Sequence, residues 1–173
     1  VQMPLMGLTQ GAQPILSFNY GAKRPDRMKQ PVQYNLLGAC VFAFSVWALA
    51  MIAPHTLARL FAHDSALIDE TAWALRIYFA VGFVSAFQNT FQQCFVALGE
   101  AKISLFLALE RKIILLIPMI LILPHFFEDK LFAVFFAEPV AYLLAAATTT
   151  TLFLIRFRQI LRSISEEKPK AAP

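Results

Sequence analysis

Five long apolar runs alternate with short polar stretches along this chain, over about residues 4–22, 35–53, 72–98, 102–124 and 131–155. Each is long enough, at about 1.5 Å of rise per helical residue, to cross the roughly 30 Å hydrocarbon layer of a bilayer. Within two of them the polar residues are not scattered. Placed at about 100° per residue, Gly7, Gln10, Gln13, Pro14, Ser17 and Gly21 fall in roughly one third of the circumference, with Met6 as the one apolar residue among them. A lipid-facing surface has no use for glycines, amides and a proline on one side. Such residues belong where another helix approaches closely or where a water-filled cavity is lined.

The third run is organised the same way. Gly82, Ser85, Gln88, Asn89, Gln92 and Gln93 share one side, and Phe79, Phe83, Phe87, Phe91 and Phe95, spaced four apart, share the other. Four amides in a membrane helix need partners or water. That predicts an amide face toward an aqueous cavity or a polar helix interface, and a phenylalanine face toward lipid or another helix.

Composition supports the membrane reading. The 173 residues are 58% hydrophobic and 15% charged, and mean hydropathy is +0.60. Soluble domains carry about 25% charged residues. The net charge of +4 does not point to nucleic acid, because the basic residues sit in short loops beside apolar runs, where lipid head groups and topology account for them. Five spans place Lys23, Arg24, Arg27, Lys29, Lys102, Arg111, Lys112 and the tail residues Arg156, Arg158, Arg162, Lys168 and Lys170 on one side. The other side receives Arg59, Arg76 and Lys130. The positive-inside rule makes the first side, and the C-terminus, cytoplasmic. Residues 1–156 then form the membrane portion and residues 157–173 a basic cytoplasmic tail whose Lys-Pro-Lys-Ala-Ala-Pro end is too polar to pack. Residues 55–71, with Arg59, His63, Asp64, Asp69 and Glu70, suit a short amphipathic surface segment. The chain opens on Val1 within an apolar run, which predicts a piece of something longer.

Candidate chemistry is sparse. Cys40 and Cys94 lie inside apolar runs as small hydrophobes, with no CxxC or CxxH spacing. His55, His63 and His125 form no HExxH pattern, and no GxSxG or phosphate-binding glycine loop is present. The chain therefore reads as neither an enzyme nor a metal protein. Glu138 stands out instead: a carboxylate inside the fifth run, followed by Pro139 and sharing a stripe with Tyr142, Ala145 and Thr149. An intramembrane acid is a functional candidate; the alternative is an interfacial acid neutralised by a proton or paired with Arg76 or Lys130. The threonines from 148 to 151 can bond back to their own helix carbonyls, which favours packing over a site.

The run Gln-Gly-Ala-Gln-Pro-Ile-Leu-Ser-Phe-Asn-Tyr-Gly-Ala from Gln10 to Ala22, with the basic loop behind it, resembles the eighth-helix signature of the MATE (multidrug and toxic compound extrusion) family. Phe91 to Gly99, Lys102 to Phe106, Arg111 to Pro118 and Ala137 to Ala141 agree with the same family in order and spacing. The resemblance implies an all-α integral membrane protein whose five or so transmembrane helices form most of one lobe, helices eight to twelve, of a twelve-helix transporter. It implies a Na⁺- or H⁺-coupled multidrug antiporter that exports amphipathic organic cations by alternating access, embedded in a bilayer as a multi-pass protein of the bacterial inner membrane. No cofactor is implied beyond the coupling ion. The partner would be the N-terminal lobe, which is thought to carry an important cation-site carboxylate. Gln10, Gln13, Ser17 and Gln92 carry over as cavity or lobe-packing positions, joined by Gln88 and Asn89 from the amide face, and Glu138 as the candidate coupling carboxylate. Two departures stand out: Tyr142, where bacterial members often have Asp, and Glu110, where an uncharged residue is usual and a local salt bridge at the membrane edge is expected. The competing readings are a transport-incompetent membrane fragment or interaction partner, and a lipid-linked-precursor flippase of the same superfamily, which would require a markedly cationic cavity.

Overall fold

The computed structural model describes residues 2–60, 64–127 and 130–167, and the described elements are all helical. Val1, His63, Lys168, Lys170 and the Lys-Pro-Lys-Ala-Ala-Pro end lie outside the described residues. Two of the five expected runs are unbroken helices long and apolar enough to cross a bilayer, within Pro25–Ile52 and Lys130–Glu166. The other three are made in pieces, and each interruption has a cause in the sequence.

The first run divides into α1 (Gln2–Gly11) and α2 (Gln13–Gly21). Pro14 lacks the N–H that Gln10 O would accept, and its ring crowds that carbonyl. The freed end of α1 is met from outside: Asn35, buried on α3 (Lys29–Ile52), donates its Nδ2 to Thr9 O at 3.1 Å. The third run divides into α5 (Ser65–Tyr78) and α6 (Ser85–Ala97), with a single 3₁₀ turn at Gly82–Val84 between them. Gly82 suits this bend, since a Cβ there would lie 3.0 Å from Phe79 Cδ1. Here too α3 supplies the partner, as Trp47 Nε1 donates to Ala80 O at 3.1 Å. One continuous helix thus stitches both broken ones. α6 closes with Gly99 at φ +77 and a paired return of Glu100 N–H to Phe95 O and Gly99 N–H to Val96 O, the glycine-capped ending expected of that residue.

The fourth run begins as α7 (Ala101–Leu109) and ends as α8 (Ile117–Phe126). Between them Glu110–Leu116 is wound as a π-helix. Pro118 follows directly; its missing N–H and the crowding of Ile114 O disfavour regular α geometry there, and the wider turn accommodates it. The expected salt bridge of Glu110 is not formed: its Oε2 is buried with no hydrogen-bond partner among the described residues.

α4 (Pro54–Arg59) and the first turns of α5 make up the expected amphipathic segment, where Asp64 caps α5 by accepting Ala66 N–H at 3.4 Å. The last helix, α9 (Lys130–Glu167), runs unbroken past residue 157. Its far end is docked: Ile164 is buried in the cluster that holds Met28, Leu16, Phe95 and Leu107.

The centre of the molecule is α6, packed between α3 and α9 and touching α1 and α2. Toward α1 and α3 the contact is made of small residues, Ala39, Ala43 and Ala86, around a fully buried Leu5. Small side chains let helix backbones approach closely, which is how helices associate in lipid. Ala133, Ala137, Ala141 and Ala145 give α9 a second small-residue stripe, all buried. Toward α9 the contact is aromatic. Phe91 stacks on Phe153 at 4.4 Å between centroids, Phe95 meets Phe153 edge-on at 5.7 Å, and Phe157 stacks on it at 5.0 Å. The inner half of the predicted phenylalanine face is therefore helix packing, while Phe83 is 38% exposed.

Candidate functional site

The breaks that interrupt the third run also open the site. Tyr78 is the last residue of α5, and the following bend holds Gly82 and Ser85 away from α9. Opposite stand Glu138, Pro139 and Tyr142 of α9, and between the two sides lies a recess of about 220 Å³. Pro139 contributes by withholding an N–H from Phe135 O.

A second recess of about 260 Å³ shares Tyr78, Glu138 and Tyr142 with the first. It adds Asn89, Gln92 and Gln93 from α6, Met6 from α1, and Arg111 and Lys112 from the π-helical segment. Arg111 is the best-held of these. Its Nη1 donates to the Tyr142 hydroxyl at 2.6 Å, and its Cζ lies 4.9 Å from the centroid of the Tyr142 ring. Hydrogen bond and cation–π contact thus act on one side chain. Tyr142 is buried, whereas Glu138 and Arg111 are half-buried. Among the described residues Glu138 forms no ion pair with Arg76 or Lys130. The cation that shares its surroundings is Arg111.

The predicted residues divide. Glu138, Tyr142, Asn89 and Gln92 meet around these two recesses. Asn89 also donates Nδ2 to Ser85 O at 2.8 Å, within the bend. Gln88 does not join them: it is 1% exposed, and neither end of its amide has a hydrogen-bond partner among the described residues. Thr149, further along the Glu138 stripe, is fully buried and its hydroxyl is likewise unpartnered among the described residues. Its neighbours Thr148 and Thr151 bond back to Leu144 O and Ala147 O, as their type predicts. Gln13 lines a narrow crevice with Asn35 and Gln93. Gln10 and Ser17 are exposed, and Ser17 turns its hydroxyl to Gln13 O at 2.8 Å. From the first polar stripe it is the apolar member, Met6, that reaches the second recess.

Sequence reasoning misses Arg111, Lys112 and Tyr78 as site residues, since charge alternation alone places both cations on the basic side with the loops. The signal that could find Arg111 is the one that finds Glu138, an ionisable residue inside an apolar run. Among the described residues no group of three or more His, Cys, Asp or Glu could hold a metal. The recess offers a half-buried carboxylate between two tyrosines, beside amides: an environment for a cation, with a cation of the chain's own already at its edge.

Comparison with known proteins converges on one family. The MatE family model matches residues 1–122. No curated protein matches the chain. Among solved structures, a MATE multidrug transporter, DinF-BH, solved in complex with a drug, is 38% identical, with a TM-score of 0.82 over 92% of this chain and 35% of that one. A MATE structure in the bent conformation is 18% identical, with a TM-score of 0.86 over 94% of this chain and 36% of that one. An inward-facing multidrug resistance MATE family transporter is also 18% identical, with a TM-score of 0.85 over 92% of this chain and 37% of that one. At that identity the last two speak for the fold alone. The chain spans about a third of the length of the solved structures it matches.

Proposed function

The chain belongs to the MatE family of multi-pass membrane transporters, which are not enzymes, and on that premise we propose that it supplies the C-terminal half of a drug–cation antiporter, with Glu138 as its coupling carboxylate. The observation that carries this reading is the pair of recesses sharing Tyr78, Glu138 and Tyr142. An ionised Glu138 attracts an amphipathic organic cation, and the tyrosine faces and neighbouring amides accept its rings. Binding of H⁺ or Na⁺ at the same carboxylate cancels that attraction and releases the drug. Exchange at one acid is thus the coupling. That a relative was solved with a drug bound supports the choice of substrate class.

In this reading the two lobes rock about a midplane cavity, and the polar stripe of Gln10, Gln13 and Ser17 faces the N-terminal lobe. The basic flank of Lys23, Arg24, Arg27 and Lys29, with the end of α9, faces the cytoplasm of a bacterial inner membrane. Residues 1–156 span the bilayer and residues 157–173 leave it. The broken helices support transport of this kind, since unwound backbone at membrane depth is tolerated where it lines a cavity.

The test is Glu138→Gln in the transporter as the cell makes it. Efflux of a fluorescent organic cation is expected to fall by about tenfold, the loss of one charged contact. Efflux at the wild-type rate would remove Glu138 from the coupling role.

A further inference from the structure

Resting on the reading of the recess as a cation site, we propose that Arg111 is a tethered cation that competes with the transported organic cation for the Tyr78–Glu138–Tyr142 recess. The chain already seats a cation where the drug would go. The Arg111 guanidinium lies 4.9 Å from the Tyr142 ring centroid, within the range of a cation–π contact, and donates to the hydroxyl of that ring at 2.6 Å. Tyr142 and Glu138 line both recesses, and Arg111 and Lys112 line the second. A drug cation arriving at Glu138 would therefore be the third positive charge around one carboxylate. Such a crowd is disfavoured where solvent is scarce. Either Arg111 withdraws or the drug binds poorly.

The backbone beneath Arg111 is suited to withdrawal. Glu110–Leu116 is a π-helix, held by wider and poorer turns than its neighbours α7 and α8. Tightening any part of it toward α geometry rotates Arg111 about the helix axis and away from Tyr142. Arg111 then acts as a built-in place-holder: it covers the Tyr142 face when no drug is present and yields when one arrives.

The test is an ethidium fluorescence titration of the protein in lipid nanodiscs. Arg111→Gln is expected to tighten ethidium binding about three- to tenfold, the range of a ring-held cation contact. Arg111→Lys, which keeps the charge, is expected to leave affinity unchanged. An arginine that only ties the π segment to α9 would give weaker binding when removed, so equal or weaker binding by Arg111→Gln overturns the proposal, as does equal tightening by Arg111→Lys. Should Arg111→Gln fail to fold, Tyr142→Phe carries the test: it keeps the ring and frees Arg111 from its hydroxyl. Tighter binding then supports the competition, and unchanged or weaker binding overturns it. Glu138→Gln separates the two readings. Wild-type affinity in that variant defeats the cation site itself, while weakened binding there with an unaltered Arg111→Gln defeats the competition alone.

Discussion

Asn35 on α3 donates its side-chain amide to the carbonyl of Thr9, 26 residues earlier, at 3.1 Å, and both residues are buried. The contact explains how a helix broken by Pro14 survives in an apolar surrounding. A proline frees carbonyls that lipid cannot satisfy, and here a neighbouring helix answers with a polar side chain. Asn35→Leu keeps the volume and leaves the Thr9 carbonyl unpaired. The expected cost is about 1–3 kcal/mol, read as a lower Tm in detergent, with no change in helix content.

Trp47 does the same for the second break by donating to Ala80 O at 3.1 Å. Its ring also packs edge-on against Phe83 at 5.7 Å. Trp47→Phe keeps much of the aromatic contact and loses the donor. Amide hydrogen exchange across residues 79–84 is expected to quicken, while exchange in the middle of α9 stays as it was.

Phe153 sits where three other phenylalanines converge, Phe91, Phe95 and Phe157. It is 2% exposed. Phe153→Ala opens a cavity between α6 and α9 and is expected to cost about 3–5 kcal/mol. Thermal unfolding in detergent measures it, and a loss below about 1 kcal/mol would mean that the two helices are held together elsewhere.

Gly99 ends α6 at φ +77, and a Cβ there would touch nothing within 4 Å. The cost of Gly99→Ala is therefore purely that of the left-handed backbone, about 1–2 kcal/mol. Gly99→Asn, which tolerates this conformation better, is expected to recover part of the loss in the same melting experiment.

Much of the helical framework is legible in the amino-acid order because hydropathy and charge are local properties of the chain. Pro14, Pro118 and Gly82 also announce trouble in their helices, but not how it resolves. Pro14 breaks a helix, Gly82 belongs to a 3₁₀ bend, and Pro118 follows a π-helical stretch, each according to which neighbour supplies the missing partner. The amide face of the third run, expected as one surface, divides. Asn89 and Gln92 reach the recess with Glu138, whereas Gln88 is buried away from it. An even rotation of 100° per residue cannot foresee that, because the bend at Gly82 resets the direction in which α6 begins.

Glu138 and Arg111 make the contrast plain. Each is an ionisable residue in an apolar run, and the amino-acid order alone is enough to mark the first as a candidate and to set the helices around it. That Arg111 leaves the basic flank and bonds Tyr142, 31 residues away, depends on how α9 and the π-helical segment slide and turn against each other. Helix–helix register comes from the packing of whole faces, alanine stripe and phenylalanine cluster together. No single position carries it.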